Sequence, residues 1–312
     1  MEIIVRVGSR ARSEPSRVII DAMPAVSVAI PAYNSESWVA EAVHSALEQT
    51  VGDIEVIVVD DASTDDTYAA VAAIDDSRLR LYRNDTNLGE AENWNKSVSL
   101  CRGRLVKLLC SDDLLHSDCI EKLSTPFSHP SVGIVFSRRK IVGDAGRAAY
   151  YGSGHTRLGK LREVNNGRSL FELYMSRRFD DNWIGEPSSV MLRRDVFKKA
   201  RFDSRIVRTD MAMWIRVMFH YDIGFVDEEL VTYRVRPGSV TDVASTSGSR
   251  WLDWLWLYES LLADPAIKAK YGAEIRRLLR RERTKAAAKL LAYRGDRGRW
   301  KDAAGYLRQM LQ

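Results

Sequence analysis

A chain of 312 residues is longer than one ordinary compact domain and too short for two large ones, which points to one α/β domain with an appendage. With 45% hydrophobic and 29% charged residues it can bury a sizeable core, and wholesale disorder is excluded. The net charge of +5 is uneven: much of the excess lies in the arginine-rich stretch after Arg276, so the tail is basic, not the whole protein.

Residues 1–22 hold a brief apolar run followed by arginines and a proline, the wrong order for a secretory signal, and are expected to form a loose extension. No segment approaches the roughly 20 apolar residues that a spanning helix needs. The chain is therefore expected in the cytoplasm, with peripheral contact at the inner membrane face left open. Residues 26–30 read as a strand bounded by Pro31, and 36–49 repeat apolar residues at helical spacing through Trp38, Ala42, Val43, Ala46 and Leu47. Residues 54–59 form a continuous apolar, β-branched run, as in a parallel strand covered on both faces, and end at Asp60 and Asp61. Residues 63–66 resemble a helix start in which Asp65 and Asp66 act as caps. A short strand is predicted at 78–82, a helix at 89–100 closed near Gly103, and a third buried strand at 105–110 ending in Ser111, Asp112 and Asp113. A helix through 119–123 and a strand at 132–136 follow. Repeated β–α units of this length imply a mostly parallel sheet with helices on both faces. Cys101, Cys110 and Cys119 have an odd count and no metal-ligand spacing, so they read as reduced structural thiols.

In such sheets ligands bind outside the carboxyl ends of the strands, where this pattern sets Asn34, Asp60, Asp61, Asp112 and Asp113. Carboxylates gathered on one rim are costly unless a cation or hydrogen-bond donors compensate, which implies a hard divalent ion bound through oxygen. Mg²⁺ or Mn²⁺ suits one or two carboxylates with phosphate oxygens; zinc would want histidine or cysteine, which this reading does not place on the rim.

The stretches VSVAIPAYNSESWVAEAVHSALEQT, EVIVVDDASTDDT, NLG and LLCSDD, in that order, resemble the nucleotide-binding half of family 2 inverting glycosyltransferases. The resemblance runs over residues 26–241 and implies the GT-A fold, a Rossmann-like, mostly parallel sheet flanked by helices. It implies that Pro31, Ala32, Tyr33 and Glu36 line the base and ribose pocket, that Asp61 accepts a hydrogen bond from a pyrimidine, and that Asn87 and Gly89 complete the wall. Asp112 would stand near the ribose or a metal-bound water, and Asp113 would be the metal ligand. The first aspartate of the family's Asp-x-Asp motif is Ser111 here, glycine is usual where Ala62 stands, and arginine is common where Trp94 stands.

Asp210 opens a helical run with Met211, Trp214, Ile215 and Met218 on its apolar side. The residues alone favour a cap there; the resemblance makes Asp210 the catalytic base. Trp183, Gly185 and Glu186 match the loop that shapes the acceptor pocket, where the glutamate grips a sugar hydroxyl or satisfies backbone donors. Arg236 stands where the family commonly has histidine. It cannot ligate a metal, but it can clamp phosphate oxygens in bidentate fashion.

The chain thus divides into the extension 1–22, a GT-A domain 23–248 with a nucleotide-sugar and metal half 23–137 and an acceptor half 138–248, and a basic helical tail 249–312. The expected partners are a UDP- or dTDP-linked sugar and a glycan or lipid-linked acceptor, in bacterial surface-polysaccharide synthesis. Tail tryptophans beside a basic helix suit an anionic membrane surface, and a packed helix pair with a solvated basic face is the alternative. A Gly-x-Gly-x-x-Gly dinucleotide turn is missing after the first strand, and no nucleic-acid motif accompanies the basic tail. The rival function is a non-catalytic nucleotide-sugar-binding module.

Overall fold

The computed structural model describes residues 23–143, 160–179, 182–206, 208–235 and 250–292, the last with side chains at 253–285. The expected extension 1–22, Arg236 and residues 293–312 lie outside the described residues. The apolar runs of the first half form strands β1 (Val26–Ala32), β2 (Ile54–Asp60), β3 (Leu79–Arg83) and β4 (Leu105–Leu108). All four pair in parallel, in the order β3-β2-β1-β4. Val56, Ile57, Val58 and Val59 are wholly buried, each burial contributing about 1.5–3 kcal/mol before chain entropy is set against it.

Helices α1 (Val39–Leu47), α2 (Thr67–Ala72) and α3 (Glu90–Ser99) supply the crossovers, and α4 (Cys119–Ser124) follows the β4 loop. In α1 the buried stripe is Val39, Ala42, Val43, Ala46 and Leu47, while Trp38 falls just outside, because the amides of Trp38 and Val39 both turn back to the Ser35 carbonyl. Register fixes the rim: Ala32 lies opposite Asp60, and Asp60 opposite Arg83, so the loops after these strands emerge at one edge.

The sheet continues through β5 (Leu114–Leu115), β6 (Val132–Gly143), β7 (Val164–Asn165), β8 (Val190–Arg193) and β9 (Asp222–Val235), in the order β4-β8-β6-β9-β5 with β7 on β9. β1, β2, β3, β4, β6 and β9 run one way and β5, β7 and β8 the other, so the sheet is mostly parallel, as expected. β6 outruns the expected 132–136 because its polar second half pairs with β9, through register shifts around Arg138. Helices α5 (Gly167–Ser176) and α6 (Thr209–His220) complete this half, followed by α7 (Arg250–Ala263) and α8 (Pro265–Ala292).

The chain forms two compact units: residues up to 204 with 213–236, which hold the sheet, and residues 205–212 with 237 onward, which hold α7 and α8. Inside the second unit Leu255, Leu261, Ile267, Ile275 and Leu278 are buried, and Asp253, 1% exposed, pairs with Arg208 at 3.4 Å. Among the described residues no helix is long and apolar enough to cross a membrane.

Candidate active site

The rim is built from loops that hold one another by short polar bonds. After β1, the Asn34 amide donates to Ser63 Oγ at 3.0 Å and its Oδ1 accepts from the Thr64 amide at 3.0 Å. Glu36 and the β2 loop cap each other: the Glu36 amide donates to Asp65 Oδ2 at 3.1 Å, and Glu36 Oε2 accepts from the Asp66 amide at 2.9 Å. Asp65 also accepts from the amide and hydroxyl of Thr67, and these bonds hold its carboxyl below the ordinary range against the opposing pull of burial. The expectation of a cap therefore holds for Asp65. It fails for Asp66, the N-cap residue of α2, whose side chain makes no capping bond; its amide donates to Glu36.

Asp61, 1% exposed, is committed to the Asn-Leu-Gly loop. Its oxygens accept from Asn84 Nδ2 at 2.6 Å and from the amides of Leu88 and Gly89 at 2.9 Å each, while Asn87 Oδ1 closes back on the Gly89 amide. Gly89 takes φ +83° there, which a side chain would resist. Of the three large apolar side chains exposed among the described residues, two stand on these loops, Tyr33 at 47% and Leu88 at 44%. Pro31 and Ala32 close β1 beneath Tyr33, and the Ala32 carbonyl accepts from the Asp61 amide at 2.8 Å.

The β4 loop carries the acids. Asp113 has no exposed surface; its Oδ2 accepts from Ser188 Oγ at 2.5 Å and its Oδ1 from the Arg234 amide at 2.9 Å. Burial, reinforced by the charge of Asp112, pushes the Asp113 carboxyl up to about 8. Cys110 Sγ and carboxylate oxygens of Asp112 and Asp113 lie within 4.8 Å of one another. A buried carboxyl that strains to stay charged beside a second one suits a divalent cation, so the donor set fits the implied metal. It also corrects an expectation: a cysteine does stand on this rim, because the turn closed by the Asp113 amide on the Cys110 carbonyl brings the thiol round to the carboxylates. Cys101 and Cys119 are buried thiols, as expected. Ser111, in place of the family's first aspartate, shares a 2.8 Å bond with Ser35 Oγ and ties the β4 loop to the β1 loop.

Several partners at this site were not singled out in the sequence. Ser188 accepts from the Cys110 amide at 2.9 Å while it donates to Asp113. Arg234 reaches the Asp112 carbonyl at 3.3 Å and Glu41 at 2.5 Å, and lies 4.9 Å over the Trp38 ring. Lys107 is fully enclosed, and its ammonium donates to the carbonyls of Leu108, Ser188 and Val190. A lysine inside an apolar strand was the visible signal for the last of these.

The acceptor loop differs from expectation in two ways. Trp183 is wholly buried against Tyr174, ring centres 3.8 Å apart, so its side chain belongs to the core and not to a sugar-binding surface. The Glu186 carboxylate pairs with the enclosed Arg139 at 2.5 Å, and among the described residues no backbone donor reaches it. Gly185, at φ +109°, makes room for that pair, since a Cβ there would meet Arg139 Nη1 at 2.5 Å. In the second unit, Asp210 is the second residue of α6 and its Oδ1 accepts from the Met211 amide at 2.7 Å, in the first turn, where an acid is stabilising.

The family model described as "Glycosyl transferase family 2" matches residues 27–201, which carry every one of these rim loops. The chain is 35% identical over 247 residues to "Uncharacterized protein MT1568" of Mycobacterium tuberculosis, covering 78% of this chain and 77% of that protein. It is 41% identical over 104 residues to the succinoglycan biosynthesis protein ExoO of Rhizobium meliloti, covering 33% of this chain and 30% of that one. Its fold is similar to S. aureus TarS 1–349 in complex with UDP-GlcNAc, with TM-score 0.63 and 19% identity over 81% of this chain and 70% of that chain. With the fold, the rim carboxylates and a family model spanning more than half the chain in agreement, this protein belongs to glycosyl transferase family 2 and is a glycosyltransferase of the GT-A fold.

Proposed function

We propose that the protein transfers a sugar from a UDP- or dTDP-linked donor to a hydroxyl of a glycan or lipid-linked acceptor in surface-polysaccharide synthesis, with inversion at the anomeric carbon. The observation that carries this reading is Asp113, a wholly buried carboxyl aligned by Ser188 and the Arg234 amide beside Asp112 and Cys110. Asp113, with Asp112 beside it, would hold Mg²⁺ or Mn²⁺. The ion, when bound, would neutralise charge on the departing diphosphate. The rest of the donor is read onto the other loops: the base against Tyr33 and Leu88 with Asp61 behind it, and the ribose near Pro31, Ala32 and Glu36. Asn87 and Gly89 form the wall. Arg236, outside the described residues, keeps the phosphate-clamping part that guanidinium chemistry suggests for it where the family commonly has histidine. ExoO's part in succinoglycan biosynthesis supports a polysaccharide product, and the UDP-GlcNAc bound by TarS supports a nucleotide-sugar donor.

In this reading the Asp210 carboxylate takes the proton of the acceptor hydroxyl as its oxygen bonds to the anomeric carbon. The bond to the diphosphate oxygen breaks with its electron pair, which leaves a nucleoside diphosphate. Asp210→Asn should lower turnover by roughly 10²-fold to 10⁴-fold with donor affinity nearly unchanged. Equal, measurable turnover in the variant and the parent would remove Asp210 from the role of base; a parent that neither transfers nor hydrolyses the donor would leave the non-catalytic nucleotide-sugar-binding module as the function. Gly185 and Glu186 contribute to the acceptor side through the Arg139 pair, and Trp183 supports them from the core.

Peripheral membrane contact narrows to one surface. Trp254 and Trp256 are half-buried under Arg208 and Arg205, at 4.4 and 5.1 Å, which favours the packed helix pair over aromatic insertion. The exposed Lys268, Lys270, Arg276, Arg277, Arg280 and Arg281 of α8 remain as a cationic face for anionic headgroups. Flotation with phosphatidylglycerol vesicles should therefore be lost when these six residues become glutamine, and recovery with neutral vesicles would contradict an electrostatic contact.

A further inference from the structure

β4 runs between β1 and β8 in the middle of the sheet, and its neighbours Val106 and Leu108 are wholly buried. An apolar residue is expected at position 107. Lysine stands there instead with no exposed surface, and an ammonium taken from water costs several kcal/mol unless its donors are met. The three N–H groups of a lysine can serve three acceptors, and Lys107 has three: the carbonyls of Leu108, Ser188 and Val190. Two of these belong to the segment that enters β8 from the short 3₁₀ turn Pro187–Ser189.

That turn also faces the site. Ser188 presents its carbonyl to Lys107 and its hydroxyl to Asp113 and the Cys110 amide, so both the donor and an acceptor position of the hydroxyl are committed. Among the described residues Lys107 makes no ion pair with Asp113; its hydrogen-bonded route to that carboxylate passes through Ser188.

We infer that Lys107 is a positioning residue: by clamping the carbonyls of Ser188 and Val190 it fixes the turn that aims Ser188 Oγ at Asp113, and so sets the affinity of that carboxylate for a divalent ion. The inference rests on the proposed metal role of Asp113. A neutral side chain of equal length would fill the space but release the turn, letting the Asp113 carboxylate rotate out of its aligned position.

The test is calorimetric titration of Mn²⁺ into UDP-saturated full-length protein, for the parent, Lys107→Met, Lys107→Gln, Ser188→Ala and Lys107→Met/Ser188→Ala, with circular dichroism and thermal melting alongside. UDP binding is also measured in EDTA. Partners of metal ligands usually set affinity by about 10-fold to 100-fold. Folded Lys107→Met and Ser188→Ala should each weaken Mn²⁺ binding within that range, with UDP binding in EDTA kept. The double variant should be no weaker than the weaker single one, because both act on one turn. Parental Mn²⁺ affinity in either folded single variant, or additive losses in the double, would overturn the inference. Failure of both lysine variants to fold would assign Lys107 to the framework alone and overturn it too. If the parent itself binds no Mn²⁺ with UDP present, the metal reading falls first and takes this one with it.

Discussion

Two buried acids occupy opposite edges of the same parallel strands. Glu55, the second residue of β2 and 3% exposed, accepts from Ser27 Oγ at 2.6 Å, the Arg102 amide at 2.7 Å and Arg102 Nε at 2.9 Å, with Arg80 at 3.8 Å. Burial works to raise its pKa, but these donors prevail and hold it below the ordinary value. Asp113, beyond the other end of β4, receives a hydroxyl and an amide but, among the described residues, no ion pair from a guanidinium or ammonium, and burial with Asp112 beside it lifts it to about 8. Where the fold needs a buried charge it supplies the counter-charge from its own chain. Where the chain withholds one, the carboxyl is prepared for a charge that arrives from outside, which is the physical content of a cation site.

The largest effects should separate the two acids by kind. Asp113→Ala should remove metal-linked nucleotide binding, a loss on the order of 100-fold or more in Mn²⁺ affinity when a ligand itself is deleted, with little change in melting of the metal-free protein. Glu55→Gln should do the reverse: a loss of about 1.5–3 kcal/mol in stability, the range for hydrogen bonds to a charged group, with metal-linked binding intact. Calorimetry and denaturant unfolding on both variants check this pair, and metal binding that survives in Asp113→Ala would erase the contrast.

A smaller effect lies in the pH dependence of the metal-free protein. Below about pH 4, near the ordinary carboxyl value of 3.8, folded and unfolded chains both hold the Asp113 proton. Between about 4 and about 8 only the folded chain holds it, so the folded state binds more protons and stability falls as pH rises; above about 8 that contribution is gone. Asp113→Asn has nothing to titrate there. Its melting temperature in EDTA should gain on the parent between pH 5 and pH 8, and Mn²⁺ should then stabilise the parent alone. A gap that stays flat with pH would mean that Asp113 is ionised without metal and resembles Glu55 after all.

The same contrast marks what could be read from sequence. Strands β1, β2 and β4 were legible because a parallel strand covered on both faces is a predominantly apolar run, which single polar residues such as Lys107 do not hide, and the rim acids follow such runs directly. β9 was not, because Asp227, Glu228 and Glu229 interrupt it where register shifts carry its middle into solvent. Asp61 and Asp113 were found by residue type and motif order. Ser188 was missed, since its bond to Asp113 spans 75 positions and a serine pair in a short turn carries no periodic signal. Trp183 was misassigned because a loop tryptophan shows no preferred face until its partner Tyr174, on α5, is in place. Arg139 and Glu186 pair across 47 positions, a distance at which opposite charges cannot be matched by inspection.

The smallest effect concerns backbone strain on the rim. Ala62 stands where glycine is usual in the family, and the backbone has kept the conformation that glycine favours, φ +56°. A Cβ in the left-handed region costs roughly 1–2 kcal/mol, and only part of that is offset by the greater unfolded-state entropy that glycine would bring. Ala62→Gly should therefore stabilise the protein by about 0.5–1 kcal/mol, read as a shift of the denaturant midpoint at constant slope. The strain sits between Asp61, which holds the Asn-Leu-Gly loop, and Ser63, which holds Asn34, so those bonds must overrule the preference of alanine. If the rim is held as firmly as this, relieving the strain should leave donor affinity unchanged. A variant that is no more stable, or that binds UDP more weakly, would instead show that the β2 loop yields around Ala62, and that firmness at the Glu55 edge does not extend to the edge where ligands bind.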